Sequence, residues 1–232
     1  MSLLAKVIIN ILGYSIDQTF IESFSKQRIW IFPHTSKFEA FLAMLAVMAI
    51  QKEDSFSFPC SKDYIETPII GDIIKFFGGF PVIKSRVVEG NLVKGNMVKR
   101  IVRFLKKNPN KQFPISPEGG LASRDWKSGF FYIAKETGLP ISVGGIDFVN
   151  HTIKANINEE IYIKEDDRYE DRIQEIKDMF AKSKIYPLYE DCSNPIVINN
   201  TGYKSTLLPM SRKIILIAIL FGISGYVIYK PI

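Results

Sequence analysis

The sequence predicts an α/β fold, a largely parallel sheet flanked by helices. Three observations carry that reading. Short apolar runs of β-forming residues alternate with longer segments whose apolar residues recur at helical spacing, as βαβ units do. Glycine and proline punctuate the alternation at Gly78-Gly79 and Gly138-Leu139-Pro140. Of 232 residues, 47% are hydrophobic, enough for one substantial core and too many for a disordered chain.

The elements follow in order. Leu3 to Tyr14 is apolar apart from Lys6 and Asn10 and reads as a helix that packs on the core or lies in a membrane interface. Arg28 to Phe32 reads as a strand. Phe38 to Ile50, rich in Ala, Leu and Met, reads as a helix. Phe56 to Cys60 suggests a short strand, Ile69 to Phe77 a short helix ended by the two glycines, and Phe80 to Ile83 another strand. From Glu89 to Lys107, the spacing of Val93, Met97, Ile101, Phe104 and Leu105 predicts a helix. Its cations Lys94, Lys99, Arg100, Arg103, Lys106 and Lys107 read as a solvated face or as a face toward anionic lipid. Lys111 to Ser116 is strand-like. Gly129 to Glu136 is helical and stops before a strand from Ile141 to Ile146. Thr152 to Ile157 and Ile161 to Ile163 read as two further strands, with His151 in a loop before them, and Asp166 to Lys182 as a charged amphipathic helix.

Asp191 to Met210 has the Asn, Ser, Thr, Pro and Gly content of a linker, and an apolar tail follows. Ile214 to Tyr229 carries no charge between Arg212-Lys213 and Lys230. As a helix it covers roughly 24 Å at ~1.5 Å per residue, against a hydrocarbon core of ~30 Å that snorkelling cations help to match. It reads as a membrane anchor, the alternative being a buried or surface-lying helix. Lys204, Arg212 and Lys213 precede it, which places the body of the protein on the cytoplasmic side. The expected organisation is an apolar helical segment over residues 1–25, a catalytic domain over 26–190, a linker over 191–212 and a membrane helix over 213–230.

The net charge of +6 favours anionic partners. Nucleic acid is disfavoured, because no recognisable binding motif is present. Cys60 and Cys192 have neither metal nor redox spacing, so a reducing compartment is expected. No small-residue cleavage site follows the apolar start, so no cleavable leader is expected.

Two strand ends carry chemistry. Pro33-His34-Thr35-Ser36-Lys37-Phe38-Glu39 sets a histidine at the end of an apolar run, with a carboxylate five positions on, at the start of the next helix. Imidazole titrates near neutrality and is a suitable general base. Glu39 is placed to orient it, and Ser36 with Glu39 also makes a capping box. Ser116-Pro117-Glu118-Gly119-Gly120 sets a carboxylate and two glycines at the end of a second strand. Between them, Gly78-Gly79-Phe80-Pro81-Val82-Ile83-Lys84-Ser85-Arg86 joins a glycine turn, a strand and two cations suited to phosphate.

In this order the three segments, with Leu139-Pro140-Ile141-Ser142-Val143 as a fourth, resemble the signature blocks of the glycerophospholipid acyltransferase family, 1-acylglycerol-3-phosphate O-acyltransferase type. The resemblance runs from roughly Ile29 to Ile146. The chain departs from the family pattern in carrying Glu39 where the family has Asp, Gly120 for Thr and Leu121 for Arg, with Arg124 three residues on. Lys62 stands where related sequences often carry lysine, and Arg124 to Phe130 also looks like the family.

The resemblance implies an acyltransferase-like fold and an O-acyltransferase. A fatty acyl group would pass from acyl-CoA or acyl carrier protein to a lysophospholipid hydroxyl, with 1-acylglycerol-3-phosphate as the leading acceptor. It implies His34 as base, Glu39 as its orienter, and Lys84, Arg86, Glu118, Gly119 and Arg124 as the acceptor pocket. It implies a phospholipid membrane as partner, no metal and no bound cofactor. Two alternatives stay open: a catalytically degenerate lipid-binding or tethering protein, and an acyltransferase for a non-phosphate acceptor.

Overall fold

A computed structural model describes residues 2–34, 37–83, 86–88, 91–93, 97–119 and 125–186, all within the unit Met1–Pro195. The chain opens with α1 (Ser2–Ile11), β1 (Ser15–Ile16) and α2 (Gln18–Glu22). Asp17 caps α2 by accepting the Thr19 amide at 2.8 Å. There follow β2 (Ile29–Ile31), α3 (Lys37–Ala49), β3 (Phe58–Ser61), α4 (Lys62–Ile65), α5 (Ile70–Phe76) and β4 (Gly79–Val82). Next come β5 (Arg86–Val88), β6 (Asn91–Val93), α6 (Met97–Lys107) and β7 (Phe113–Ile115). The described chain closes with α7 (Gly129–Thr137), β8 (Ile141–Asp147), β9 (Thr152–Ile161) and α8 (Tyr169–Lys182).

The main sheet has the order β1-β9-β8-β2-β7. β2 lies between β7 and β8 and is parallel to both, with Ile29 opposite Phe113 and Ile141, and Ile31 opposite Ile115 and Val143. All six of these side chains are buried, as a parallel sheet covered on both faces requires. β3 and β4 form a parallel pair, and a parallel bridge from Phe56 to Gln112 lays the start of that pair beside β7. β9 runs antiparallel to β8. α6, α7 and α8 bury Ile101, Leu105, Phe130, Phe131, Ile176 and Phe180 in the same cluster as β2, β7 and β8. Each such side chain stabilises the fold by about 1.5–3 kcal/mol.

α1 is apolar on two sides. Ala5, Ile8, Ile9 and Leu12 are buried where the helix packs on α3, while Leu3, Leu4, Val7 and Ile11 stay exposed. α6 buries Ile101, Val102 and Leu105 and exposes Lys99, Arg103, Lys106 and Lys107. Ahead of β2, Arg28 is buried with its guanidinium 3.5 Å from the Glu160 carboxylate.

Several elements differ from the expectation. The helix expected from Glu89 begins only at Met97, and Val93 belongs to β6, paired antiparallel with β5. Val87, Val88 and Val93 are β-branched and favour a ladder over a helix. The two strands expected after His151 are one, β9. Exposed Asn158 and Glu159 read as a break, yet the backbone continues along β8, with a register shift between Ile141 and Val143. The short elements β1, α2 and α4 had no signal of their own. Among the described residues no helix is long and apolar enough to cross a membrane. The linker and the anchor expected over residues 191–230 lie outside the described residues.

Candidate active site

β2 and β7 are parallel neighbours with Ile31 opposite Ile115, so their carboxyl ends emerge side by side. The Phe32 amide donates to the Ile115 carbonyl at 3.0 Å, extending the pairing one step beyond the strands. His34 stands three residues past Ile31, and Glu118 three residues past Ile115. The two side chains therefore leave the same edge of the sheet, where ligands of open parallel sheets gather.

α3 begins within three residues of His34 and carries Glu39 in its first turn. That turn brings the Glu39 carboxylate back to the imidazole, with His34 Nδ1 3.3 Å from Glu39 Oε2. Glu39 is 2% exposed, and the His34 side chain 32%. With the proton on Nδ1 donated to the carboxylate, the tautomer this contact favours, Nε2 keeps the lone pair that can take a proton from outside. Glu39 is one methylene longer than aspartate and still reaches the ring.

Glu118 completes the cluster from β7. It is 4% exposed, and the Ser116 hydroxyl donates to its Oε2 at 2.8 Å. Burial pushes the Glu118 carboxyl above its usual range. Its own backbone amide, the Ser116 hydroxyl and the His34 backbone amide pull the other way, while the nearby Glu39 carboxylate adds to the rise. The same carboxyl therefore ties the β7 turn to the backbone of His34. Gly119 closes that turn at φ +72°, donating its amide to the Ser116 carbonyl at 3.1 Å. A non-glycine residue is strained there.

The structure brings His34, Glu39, Glu118 and Gly119 together. Arg86 is the first residue of β5, and Lys84 and Arg124 lie outside the described residues. Lys62 opens α4, pairs with Glu66 at 3.2 Å, and lines a groove of about 510 Å³ with Ile65, Pro81, Ile83 and Arg100. His151 stands in the turn before β9, its ring 5.1 Å from that of Tyr14. Among the described residues no group of His, Cys, Asp and Glu could hold a metal ion.

Two contributors were not singled out by sequence. Ser116 sits in the quoted run two residues before Glu118, a spacing suited to a side-chain contact across a turn. Lys127 donates its backbone amide to the Pro117 carbonyl at 2.8 Å, and its ammonium lies against Gly119, 3.0 Å from where a Cβ would stand. Lys127 lies in the Arg124 to Phe130 run that resembles the family, but nothing local marks it within that run, because the contact joins two ends of a loop.

No family model matches the chain, and no curated protein matches it. A solved structure does: the 1-acyl-sn-glycerophosphate (LPA) acyltransferase PlsC from Thermotoga maritima. It is similar with a TM-score of 0.53 over 78% of this chain and 76% of that one, at 14% identity. At that identity the likeness is one of fold: a mostly parallel sheet flanked by helices.

Proposed function

We propose that the chain is an O-acyltransferase that moves a fatty acyl group from an acyl thioester, of CoA or acyl carrier protein, to the free hydroxyl of a lysophospholipid. 1-Acylglycerol-3-phosphate is the leading acceptor, giving phosphatidic acid. His34 Nε2 takes the hydroxyl proton as the oxygen attacks the thioester carbonyl. The tetrahedral intermediate collapses, the C–S bond breaks, and the imidazolium returns the proton to the departing sulfur. Glu39 holds the ring and stabilises the imidazolium between the two steps. A thioester is already activated, so no covalent enzyme nucleophile is required. Arg86, Lys84, Arg124, Glu118 and Gly119 are proposed to hold the acceptor.

The observation that carries this reading is the His34–Glu39 pair, 3.3 Å apart at the carboxyl end of β2, in a fold shared with an enzyme of that named activity. The exposed stripe of α1, with Leu3 75% and Ile11 60% exposed, supports peripheral contact with a bilayer. Residues 213–230, uncharged from Ile214 to Tyr229, are proposed to add an anchor, with the domain of residues 26–190 on the cytoplasmic side.

The test is release of free thiol from a long-chain acyl-CoA by the purified, detergent-solubilised protein, with and without lysophosphatidic acid. Release is expected to need both the acceptor and His34, and to vanish in His34→Ala while the variant keeps its fold. Normal rates in that variant would remove His34 from the chemistry. Silence with every acceptor and donor would leave a lipid-binding protein.

A further inference from the structure

We propose that Lys127 binds the acceptor's phosphate, holding its hydroxyl toward His34; this rests on the acyltransferase reading above. The lysine is exposed, yet its backbone is fixed from two sides. Its own amide donates to the Pro117 carbonyl in the turn that carries Glu118. On the other side, the preceding Trp126 packs edge-on against Phe130 and Phe180, with ring centroids 6.0 and 6.2 Å away, and its carbonyl accepts the Tyr169 hydroxyl at 3.0 Å. The start of α7 is thus pinned both to the β7 turn and to α8. Such a backbone fixes where the lysine stem starts, beside the β7 turn.

That turn is the one beside the histidine. The lysine stem lies across Gly119, with Cδ, Cε and Nζ at 3.4, 3.6 and 3.0 Å from the position a Cβ would take. The glycine therefore serves two ends: it adopts φ +72°, and its missing side chain leaves the volume the lysine occupies. Lys127 makes no ion pair among the described residues, in contrast to Lys26, Lys62, Lys75 and Lys154, each held by a carboxylate. No described residue accepts a hydrogen bond from its ammonium, whose N–H donors suit an anionic ligand.

The charge balance gives a reason for a cation here. Glu118 and Glu39 are both buried within this cluster, and a phosphate brought beside them meets like charge unless a cation screens it. An ammonium lying on the Glu118–Gly119 turn meets the phosphate at the solvent side of that cluster. An ammonium is also a compact point charge, which reads the charge of a headgroup more than its shape.

The experiment is titration calorimetry on the full-length, detergent-solubilised protein with a short-chain lysophosphatidic acid and, separately, the monoacylglycerol that lacks its phosphate. The proteins are wild type, Lys127→Ala, Lys127→Arg and, as a control for lost charge, Lys106→Ala from the exposed face of α6. Lys127→Ala is expected to weaken the phosphate-bearing ligand about 10- to 150-fold, the range for one charge-assisted hydrogen bond. Monoacylglycerol binding should stay unchanged, Lys127→Arg should recover most of the loss, and Lys106→Ala should do nothing. Equal affinity of wild type and Lys127→Ala for the phosphate ligand would overturn the assignment, as would an equal loss for both ligands. Thiol release run in parallel separates the two readings. Lys127-dependent binding without any thiol release keeps the phosphate site and removes the acyl transfer. Thiol release with an unaltered KM in Lys127→Ala keeps the acyl transfer and removes Lys127.

Discussion

Replacing Glu39 by Gln keeps the length of the side chain and removes its charge. In the wild type the carboxylate is 2% exposed and stands 3.3 Å from His34 Nδ1, so water does little to screen the imidazolium that forms as the hydroxyl proton is taken. A hydrogen bond to a charged group is worth about 1.5–3 kcal/mol. At ~1.36 kcal/mol per decade, that predicts a fall in kcat of about 10- to 150-fold. Glutamine still accepts the Nδ1 proton through its carbonyl oxygen, which keeps the tautomer and holds the loss well below that of removing His34. The assay is initial rate of thiol release from acyl-CoA at saturating lysophosphatidic acid, so that the change is read in kcat. Glu39→Asp tests the geometry. One methylene less shortens the reach by roughly 1.5 Å, taking an oxygen already 3.3 Å away beyond hydrogen-bond distance, so its loss should be at least as large. Wild-type kcat in Glu39→Gln would refute the role of the Glu39 charge in stabilising the imidazolium. A gain in Glu39→Asp would mean that the parent site is degenerate.

Two further outcomes follow from the same geometry. Glu118 holds its proton more tightly in the folded state than unfolded, so its contribution to stability is full below the ordinary carboxylate pKa and fades as pH rises through the raised folded value. Glu118→Gln removes that dependence: in urea unfolding across pH, the variant should gain on wild type from the carboxylate range toward neutrality, and a gap widening in wild type's favour would contradict the burial argument. Gly78 and Gly138 both adopt positive φ, +81° and +70°, but a Cβ at Gly78 would stand 2.2 Å from the Phe56 carbonyl oxygen, whereas nothing lies within 4 Å at Gly138. Gly138→Ala should cost about 1–2 kcal/mol from conformation alone, and Gly78→Ala clearly more; equal urea midpoints would show that the backbone at Phe56 moves aside.

The parts of the fold legible in the sequence are those whose hydrophobic period belongs to one element. Ile29–Ile31 and the Ala-, Leu- and Met-rich α3 answer to core burial, and their sequence patterns end within a residue or two of the elements. The β5–β6 hairpin was not, because Val93 continues a helical spacing into α6 that the β-branched residues before it contradict. β9 was split because its exposed polar stretch resembles a turn when its partner β8 is not in view. At the site, His34 and Glu118 announce themselves by standing just past apolar strands, and Glu39 by opening the helix that follows His34. Lys127 lies in a run that looks like the family, yet within it an exposed lysine looks like any other until the Pro117 carbonyl, the Trp126 packing and the vacant Cβ of Gly119 place it. Local pattern marks residues that chemistry needs at strand ends, and tertiary contacts decide which loop charges reach them.

The equal offsets of His34 and Glu118 past one paired rung, Ile31 and Ile115, make the length of two short connections a heritable dimension of the site. Exchanging side chains elsewhere leaves that dimension alone, as long as the rung is kept. Adding or deleting a single residue between Ile31 and His34, or between Ile115 and Glu118, moves one partner by up to a residue length, about 3.8 Å between neighbouring Cα atoms, relative to the other. Substitutions that keep the rung leave this spacing in place, whereas a change in the length of either connection does not. A chain of this kind can keep its working geometry long after most of its residues have changed.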